Sequence, residues 1–182
     1  MAVLERKGRF IPAEGLEEIT RRKEQARKAH QPGRKEQTMM VPFCRQMPTV
    51  IRPSQITPDV TYEPPLRVGF GINDQNVAGA QATMGRTVLV PGAGPNPTHY
   101  HAVNDVCWYI LSGRIRAWFA RSDGSDRQDV LLEGGDFVYI PSGAIHVIAN
   151  ASPTEEASLI FCYIGVGNTA AAQTVWCDQA AR

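Results

Sequence analysis

The pattern of apolar and polar positions changes twice along the chain. Residues 14–29 read EGLEEITRRKEQARKA, with acidic side chains early and basic ones late, an order that suits the dipole of a helix. Residues 38–65 contain six prolines with short apolar runs between them. Proline at this density excludes a helix and disfavours a central strand. We therefore expect a helix at 14–29, followed by an extended, proline-rich arm that lies over the rest of the protein.

From residue 66 onward, short runs rich in β-branched and aromatic residues alternate with Gly, Pro, Asn and Asp. Eight such runs are candidate strands: LRVGF, AQATMGRTVLV, VCWYILSG, RIRAWFA, DVLLE, DFVYIP, IHVIAN and ASLIFCYIG. Many short strands with turn residues between them are typical of an all-β sandwich or barrel. The sequence thus predicts an N-terminal helix and arm at 1–65 and a β-barrel domain at 66–182.

Composition narrows the class of protein. The chain has 182 residues, of which 43% are hydrophobic and 20% charged, as in ordinary globular proteins. No run approaches the ~20 apolar residues of a membrane span, and the first ten residues lack an apolar signal-peptide core, so we expect a cytoplasmic protein with no membrane partner. Residues 1–36 carry ten Lys/Arg, but six Asp/Glu are interleaved with them. This mixture favours a solvated helix face over a nucleic-acid interface.

The four histidines carry the candidate chemistry. His30 lies in the basic, polar segment, where a histidine is usually exposed to solvent. His99 and His101 are two residues apart, so on a strand both side chains leave the same face, as two ligands of one metal ion must. His146 follows PSGAI at the start of another strand-like run and is the third candidate ligand.

The residues around these histidines resemble the two sequence motifs of the cupin family. The stretch Gly135–Asn150, GDFVYIPSGAIHVIAN, has the glycine, proline and histidine spacing of the second motif. The stretch Pro91–Gly113, PGAGPNPTHYHAVNDVCWYILSG, resembles the first motif, with His-x-His followed by a strand that ends in glycine. The resemblance covers about residues 66–166. It implies a double-stranded β-helix, or jelly-roll barrel, with a metal site on its inner face.

The chain departs from the first motif at one position. In the family a glutamate seven positions before the closing Gly113 provides a fourth ligand, and here that position is Val106. The neighbouring Asp105 points to the opposite face of a regular strand, and only a one-residue bulge would bring its carboxylate to the metal. We therefore expect a site of three histidines, His99, His101 and His146.

Such a site leaves the charge of a divalent ion uncompensated and favours small anionic, chelating substrates. Imidazole ligands suit several metals, so the histidines alone do not select one. Three-histidine iron members of the family are dioxygenases. The resemblance therefore implies one divalent ion, Fe(II) in preference to Zn, Ni or Mn, and a dioxygenase that uses dioxygen to cleave a small aromatic or diketone-type substrate. The alternatives are a redox-neutral lyase, isomerase or decarboxylase, and a non-catalytic small-molecule-binding cupin. The resemblance also implies a homodimer.

The lining of the pocket follows from strand alternation. Counting from Val106, the side chains of Trp108 and Ile110 point inward and form an apolar wall, although Trp108 also suits a plain barrel core. Arg86 is a candidate for binding a substrate carboxylate, with an exposed arginine as the alternative. Tyr163 on the last strand is a candidate hydrogen-bond donor or acid, or else a packed core tyrosine.

Overall fold

The computed structural model describes residues 47–177 and, in the N-terminal segment, the backbone of two short strands, β1 (Val3–Leu4) and β2 (Phe10–Ile11). The chain forms two compact units, residues 1–47 and 48–182, and in the first of them β1 pairs with β2 in antiparallel fashion. The predicted helix at 14–29 and the first part of the predicted arm, residues 38–46, lie outside the described residues. The predicted domain division at residue 65 stays a prediction.

All eight strands predicted from the sequence are present in the second unit, which confirms the all-β fold. Two further strands, each of three residues, were not predicted. The strands are β3 (Arg67–Ile72), β4 (Ala82–Leu89), β5 (His99–His101), β6 (Val106–Ser112), β7 (Arg114–Ala120), β8 (Gln128–Glu133), β9 (Phe137–Ile140), β10 (Ile145–Asn150), β11 (Ala157–Ile164) and β12 (Thr174–Trp176).

These strands form two antiparallel five-stranded sheets. The strand order is β12-β5-β10-β7-β8 in one sheet and β3-β4-β11-β6-β9 in the other. Side chains from both sheets meet in one hydrophobic core, to which Ile115 and Ile148 contribute from the first sheet and Leu89, Ile110 and Leu159 from the second. Strands β4, β6 and β7 bury alternate side chains, and the two facing sheets form the sandwich version of a jelly-roll barrel.

Residues 48–65 form no named strand but lie against the second sheet. A 3₁₀ turn spans Pro53–Gln55, and Asp59 pairs with Val68 of β3 in an isolated bridge. The Ile56 side chain packs over β3 at Gly69, where an added Cβ would approach its Cγ2 to 3.0 Å. The described part of the arm therefore lies over the sheet as predicted, but turns at 53–55 and 59–66 interrupt the predicted extended course. No helix in the described residues has the length and hydropathy that crossing a membrane requires.

Candidate metal centre

Strands β5 and β10 bring three histidines together inside the barrel. His99 and His101 leave the same face of β5, and His146 on β10 stands directly opposite His99 in the antiparallel register. All three side chains are buried, and their ring centres lie 4.3–5.3 Å apart. One ring nitrogen of each lies within 4.8 Å of those of the other two. The structure therefore brings the three histidines together, as the sequence predicted.

A tight turn positions His146 at the start of β10. The backbone N–H of Ala144 donates to the carbonyl of Pro141 at 3.0 Å, and Gly143 between them has a φ of +82°, which a residue without Cβ adopts without strain. The N–H of Gly143 also donates to the carbonyl of His101 at 2.8 Å. The turn that opens β10 is thus tied to the strand that carries the other two histidines.

The outward-facing nitrogen of each ring is held by a hydrogen bond. Nδ1 of His99 lies 2.8 Å from the carbonyl oxygen of Pro97, and Nδ1 of His146 lies 3.0 Å from that of Ala144. Both carbonyls can only accept, so each of these Nδ1 atoms carries the proton and each Nε2 is left with its lone pair.

The third ring is held in the same way by a side chain. Nδ1 of His101 lies 3.0 Å from Oγ1 of Thr174 on β12. Nε2 of His99 and Nε2 of His101 are both buried and have no hydrogen-bond partner. Buried polar atoms are nearly always satisfied, so two unpaired nitrogens in one histidine cluster indicate that a further group binds between them. A divalent metal ion fits this donor set.

Burial keeps two of the rings in the form that a metal requires. Burial lowers the pKa of His101 to about 3, with a smaller contribution from His99. Burial also lowers the pKa of His146 well below its ordinary value. Both imidazoles are therefore neutral at neutral pH, and neutral imidazole is the form that donates a lone pair to a metal ion.

A carboxylate that the sequence did not predict lies beside the histidines. Glu63 is only 9% exposed, and its Oε1 lies 3.5 Å from Nε2 of His99, beyond normal hydrogen-bond length. Its other oxygen, Oε2, accepts a hydrogen bond from Nδ2 of Asn96 at 2.9 Å. Burial raises the pKa of the Glu63 carboxyl, and the nearby His99 acts in the opposite direction.

The turn that carries Glu63 is fixed at both ends. The carboxylate of Asp59 accepts hydrogen bonds from the N–H groups of Thr61 and Tyr62, which makes an Asx turn. The N–H of Leu66 donates to the carbonyl of Glu63 at 2.9 Å. Since Asp59 is also bridged to β3, the Glu63 side chain is directed into the barrel.

Aromatic rings surround the centre. The Tyr163 ring lies 4.5 Å from the ring of His101, and the Trp176 ring lies 4.9 Å from that of His99. The hydroxyls of Tyr62 and Tyr163 are 3.3 Å apart. Burial raises the pKa of Tyr163 well above its ordinary value, so its hydroxyl keeps its proton at neutral pH.

A small cavity of about 20 Å³ adjoins the centre, which is room for about one water molecule. Its walls are Glu63, Val68, Thr87, Trp108, His146, Ile148, Leu159, Phe161 and Tyr163. The predicted lining residues Trp108 and Tyr163 are therefore beside the centre. Val106 and Ile110 also point inward but belong to the hydrophobic core.

Two residues considered from the sequence lie elsewhere. Arg86 is exposed on the opposite face of β4, where it lines a surface groove and donates to the Ser158 hydroxyl at 3.2 Å, so its predicted place in the pocket lining is wrong. The reason is the phase of the strand, which turns Thr83 and Thr87 inward instead. The carboxylate of Asp105 accepts hydrogen bonds from the Tyr139 hydroxyl and the Ser142 N–H at the surface, and no bulge brings it to the histidines.

Comparison with known proteins places the fold. Residues 85–163 match the family model of the cupin domain. Quercetin 2,3-dioxygenase of Bacillus subtilis strain 168 is 30% identical over 74 residues, which are 38% of this chain and 20% of that protein. Germin-like protein 3-8 of Oryza sativa subsp. japonica is 39% identical over 64 residues, which are 35% of this chain and 28% of that protein.

A comparison with solved structures supports the same fold. An oxalate decarboxylase of Lactobacillus farciminis, solved as a formate complex, superposes with a TM-score of 0.57 at 16% identity, over 68% of this chain and 34% of that one. The matched region thus spans about a third or less of each of these three relatives. The double sheet and the buried histidine triad agree with the match over 85–163: this part of the chain is similar in sequence to the cupin domain, and the fold is that of the solved cupin structure.

Proposed function

We propose that this protein is a metal-dependent cupin enzyme in which His99, His101 and His146 hold one divalent ion. The observation that carries the proposal is the pair of buried, unpaired Nε2 atoms of His99 and His101, on rings whose Nδ1 atoms are already anchored. Such pre-oriented imidazoles, each with a buried nitrogen left unpaired, are what a metal site needs.

Within this class we propose Fe(II) and a dioxygenase that cleaves a small oxygenated substrate. Support comes from the identity shared with quercetin 2,3-dioxygenase and from the donor set, because imidazole suits iron as well as zinc, nickel and copper. A bound divalent ion would polarise a chelating oxygen substrate and bring dioxygen next to it. The protein's own residues orient the imidazoles and exclude bulk water from the centre.

The size of the site limits the substrate. A cavity of about 20 Å³ does not hold an aromatic molecule unless neighbouring side chains move. Trp176 is 46% exposed on the three-residue strand β12, so its ring can move without breaking the core. We therefore propose a small anionic substrate that enters at the Tyr62 and Trp176 side of the barrel.

A redox-neutral lyase or decarboxylase is the second candidate. The observation that favours it is the pair of protonatable groups at the cavity, the Glu63 carboxyl and the Tyr163 hydroxyl. Burial raises the pKa of both groups, so either can hold a proton at the cavity wall and release it to a carbanion-like product. This reaction class needs no dioxygen.

Elemental analysis of protein purified without a histidine tag tests the proposal. Wild type is compared with His99→Ala and with Tyr100→Phe, a control on the same strand but on its opposite face. Each protein is then mixed with catechol-, salicylate- and diketone-type substrates and with oxalate in an oxygen-electrode cell, and product formation is followed in parallel.

We expect about one iron per chain in wild type and Tyr100→Phe, none in His99→Ala, and dioxygen uptake when substrate is added. Turnover without dioxygen uptake would transfer the assignment to the redox-neutral candidate. Metal and ligand binding without turnover would leave a non-catalytic binding cupin. Wild-type protein that retains no metal would contradict the proposal as a whole.

The homodimer and the cytoplasmic location remain predictions. In support of self-association, the outer face of the second sheet exposes large apolar side chains, including Phe137 at 82%, Tyr139 and Leu111. Contiguous exposed apolar side chains often mark an interface. The sedimentation coefficient of the purified protein distinguishes a monomer from a dimer.

A further inference from the structure

We propose that Glu63 is the fourth protein ligand of the metal centre, binding the ion through Oε1. The inference rests on the proposed metal site and adds a residue that lies outside the matched cupin region, 22 positions before its first residue at 85. It makes the site one of three imidazoles and one carboxylate, which changes its charge and its preferred metals.

The spacing between Glu63 and His99 is that of two ligands on one ion. Their atoms Oε1 and Nε2 are 3.5 Å apart, and Nε2 has no hydrogen-bond partner. Two ligand atoms at about 2.1 Å from a common metal are separated by about 3.0 Å at a right angle and by about 3.4 Å at a tetrahedral angle. A hydrogen bond would draw the same two atoms to about 2.9 Å.

The other carboxylate oxygen of Glu63, Oε2, already accepts a hydrogen bond, as expected for a monodentate ligand. Oε2 accepts a hydrogen bond from Nδ2 of Asn96, and Oδ1 of that asparagine accepts from the backbone N–H of Ile148 at 2.8 Å. Ile148 lies on β10, two residues after His146, so the carboxylate is fixed relative to the strand that carries a histidine. Such outer hydrogen bonds orient metal ligands and leave the other oxygen available.

Without a metal ion, an ionised Glu63 carboxylate would face only the imidazole of His99, 3.5 Å away. Of the described residues that line the adjoining cavity, none is lysine or arginine, and the only facing nitrogen bases are imidazoles. A buried carboxylate without a cation is strongly unfavourable, whereas a divalent ion at the histidines compensates it directly. The proposed ligand set therefore leaves a net charge of +1 at the centre, against +2 for three histidines alone.

Metal binding to the purified chain tests the assignment without any need for turnover. Metal-free wild type, Glu63→Gln and Glu63→Asp are titrated with Co(II), and the dissociation constant, the visible absorption spectrum and the unfolding temperature are recorded. Asp105→Asn is the matched control, since it removes the neighbouring acidic candidate whose carboxylate bonds to Tyr139 and Ser142 instead.

We expect Glu63→Gln to weaken Co(II) binding at least about 100-fold, because loss of a ligand exceeds the 10- to 100-fold effect of an outer-shell contact. Its Co(II) spectrum changes, and its metal-free form unfolds at the same temperature as wild type or higher, since a buried charge has been removed. Glu63→Asp keeps the carboxylate on a side chain that is one methylene shorter, so we expect its Co(II) affinity to lie between those of wild type and Glu63→Gln. This variant provides the test if Glu63→Gln does not fold. Asp105→Asn behaves as wild type.

An affinity within about threefold of wild type together with an unchanged Co(II) spectrum would overturn the assignment. So would a lowered unfolding temperature of metal-free Glu63→Gln with normal Co(II) affinity, which would make the pair with His99 a structural ion pair. These outcomes leave the three-histidine enzyme standing. If Co(II) binds as expected but no substrate is turned over, the proposed activity fails and the assignment of Glu63 stands. If wild type binds no Co(II), both the metal-dependent enzyme and the Glu63 ligand are refuted.

Discussion

Asn96 joins the metal centre to the barrel through two buried hydrogen bonds, and its removal should be costly. Its Nδ2 donates to Oε2 of Glu63 at 2.9 Å, and its Oδ1 accepts from the N–H of Ile148 at 2.8 Å. Asn96→Ala leaves both partners buried without a hydrogen bond, at about 1–3 kcal/mol for each. We therefore expect the free energy of unfolding of the metal-free protein to fall by about 2–6 kcal/mol, the lower end applying if a water molecule fills the space.

Asn76 provides a matched control because its side chain makes the same two kinds of bond at the surface. Its Nδ2 donates to the carbonyl of Gly71 at 3.0 Å, and its Oδ1 accepts from the N–H of Asn73 at 2.9 Å. Water replaces both bonds in Asn76→Ala, so a loss of about 1 kcal/mol or less is expected. Urea unfolding followed by tryptophan fluorescence measures both variants, because all three tryptophans lie in the second unit: Trp108, Trp118 and Trp176.

The comparison is decisive only where both variants unfold with the wild-type dependence on urea concentration, since a changed slope signals a changed denatured state. At equal slope, a loss for Asn96→Ala no greater than that for Asn76→Ala would refute the reasoning. The buried hydrogen bonds would then contribute no more than exposed ones. The tether between Glu63 and β10 would have no energetic basis.

Two further predictions concern the backbone and the titration of the centre. Gly113 has a φ of +74° and an added Cβ would lie 2.6 Å from a backbone oxygen, whereas Gly124 has a φ of +83° and open space. Gly113→Ala should therefore lose about 2–5 kcal/mol and Gly124→Ala about 1–2 kcal/mol in urea unfolding, and equal losses would contradict the close approach. Metal-free protein should lose stability as the pH falls from 6.5 to 5, because His101 and His146 have pKa values far below 6.5 when folded and take up protons only on unfolding. Each contributes at most about 1.4 kcal/mol per pH unit, a slope approached as the pH falls well below 6.5, and Glu63, whose raised pKa acts in the opposite direction, offsets at most one of them. Stability that is constant or rises on acidification would refute this.

The strands could be predicted because each is a short run of β-branched and aromatic residues between turn residues, and in β4, β6 and β7 the burial of alternate side chains adds to this signal. In β6, for example, Val106, Trp108 and Ile110 are buried, while Tyr109 and Leu111 are exposed. β5 and β12, with three residues each, are too short to show such alternation. They exist because they pair with each other, and β5 pairs with β10 on its other edge.

The phase of β4 shows where alternation misleads. One face of the strand carries Ala, Met, Arg and Val and the other Thr, Gly, Thr and Leu, so apolar content alone would turn the face with Arg86 inward. The structure does the reverse, because the inner face must be small. A Cβ at Gly85 would lie 2.7 Å from the ring of Phe161 and 2.3 Å from the carbonyl of Gly69. Close packing of neighbouring strands, which depends on tertiary structure, sets the phase here.

The histidines could be found from sequence because their placement is local. The spacing of His99 and His101 fixes a common face, and the turn at Pro141 and Gly143 fixes the entry of His146. Glu63 could not be found from sequence, because its place beside His99 depends on contacts with residues that are distant in sequence, such as Asn96. A single acidic residue next to two prolines has no spacing that relates it to a histidine 36 residues later.

The three histidines and the remaining groups of the centre come from different parts of the chain, and this division has a functional consequence. The histidines lie within residues 85–163, the region that matches the cupin domain. Glu63 comes from the turn before β3, while Thr174, which holds His101, and Trp176, which covers His99, come from β12. In the proposed enzyme, these flanking segments would determine the charge beside the metal and the room left for substrate. Proteins that share the histidine scaffold can therefore differ in reaction through the segments on either side of it, and we propose that in this chain the turn at 59–66 and β12 select the substrate.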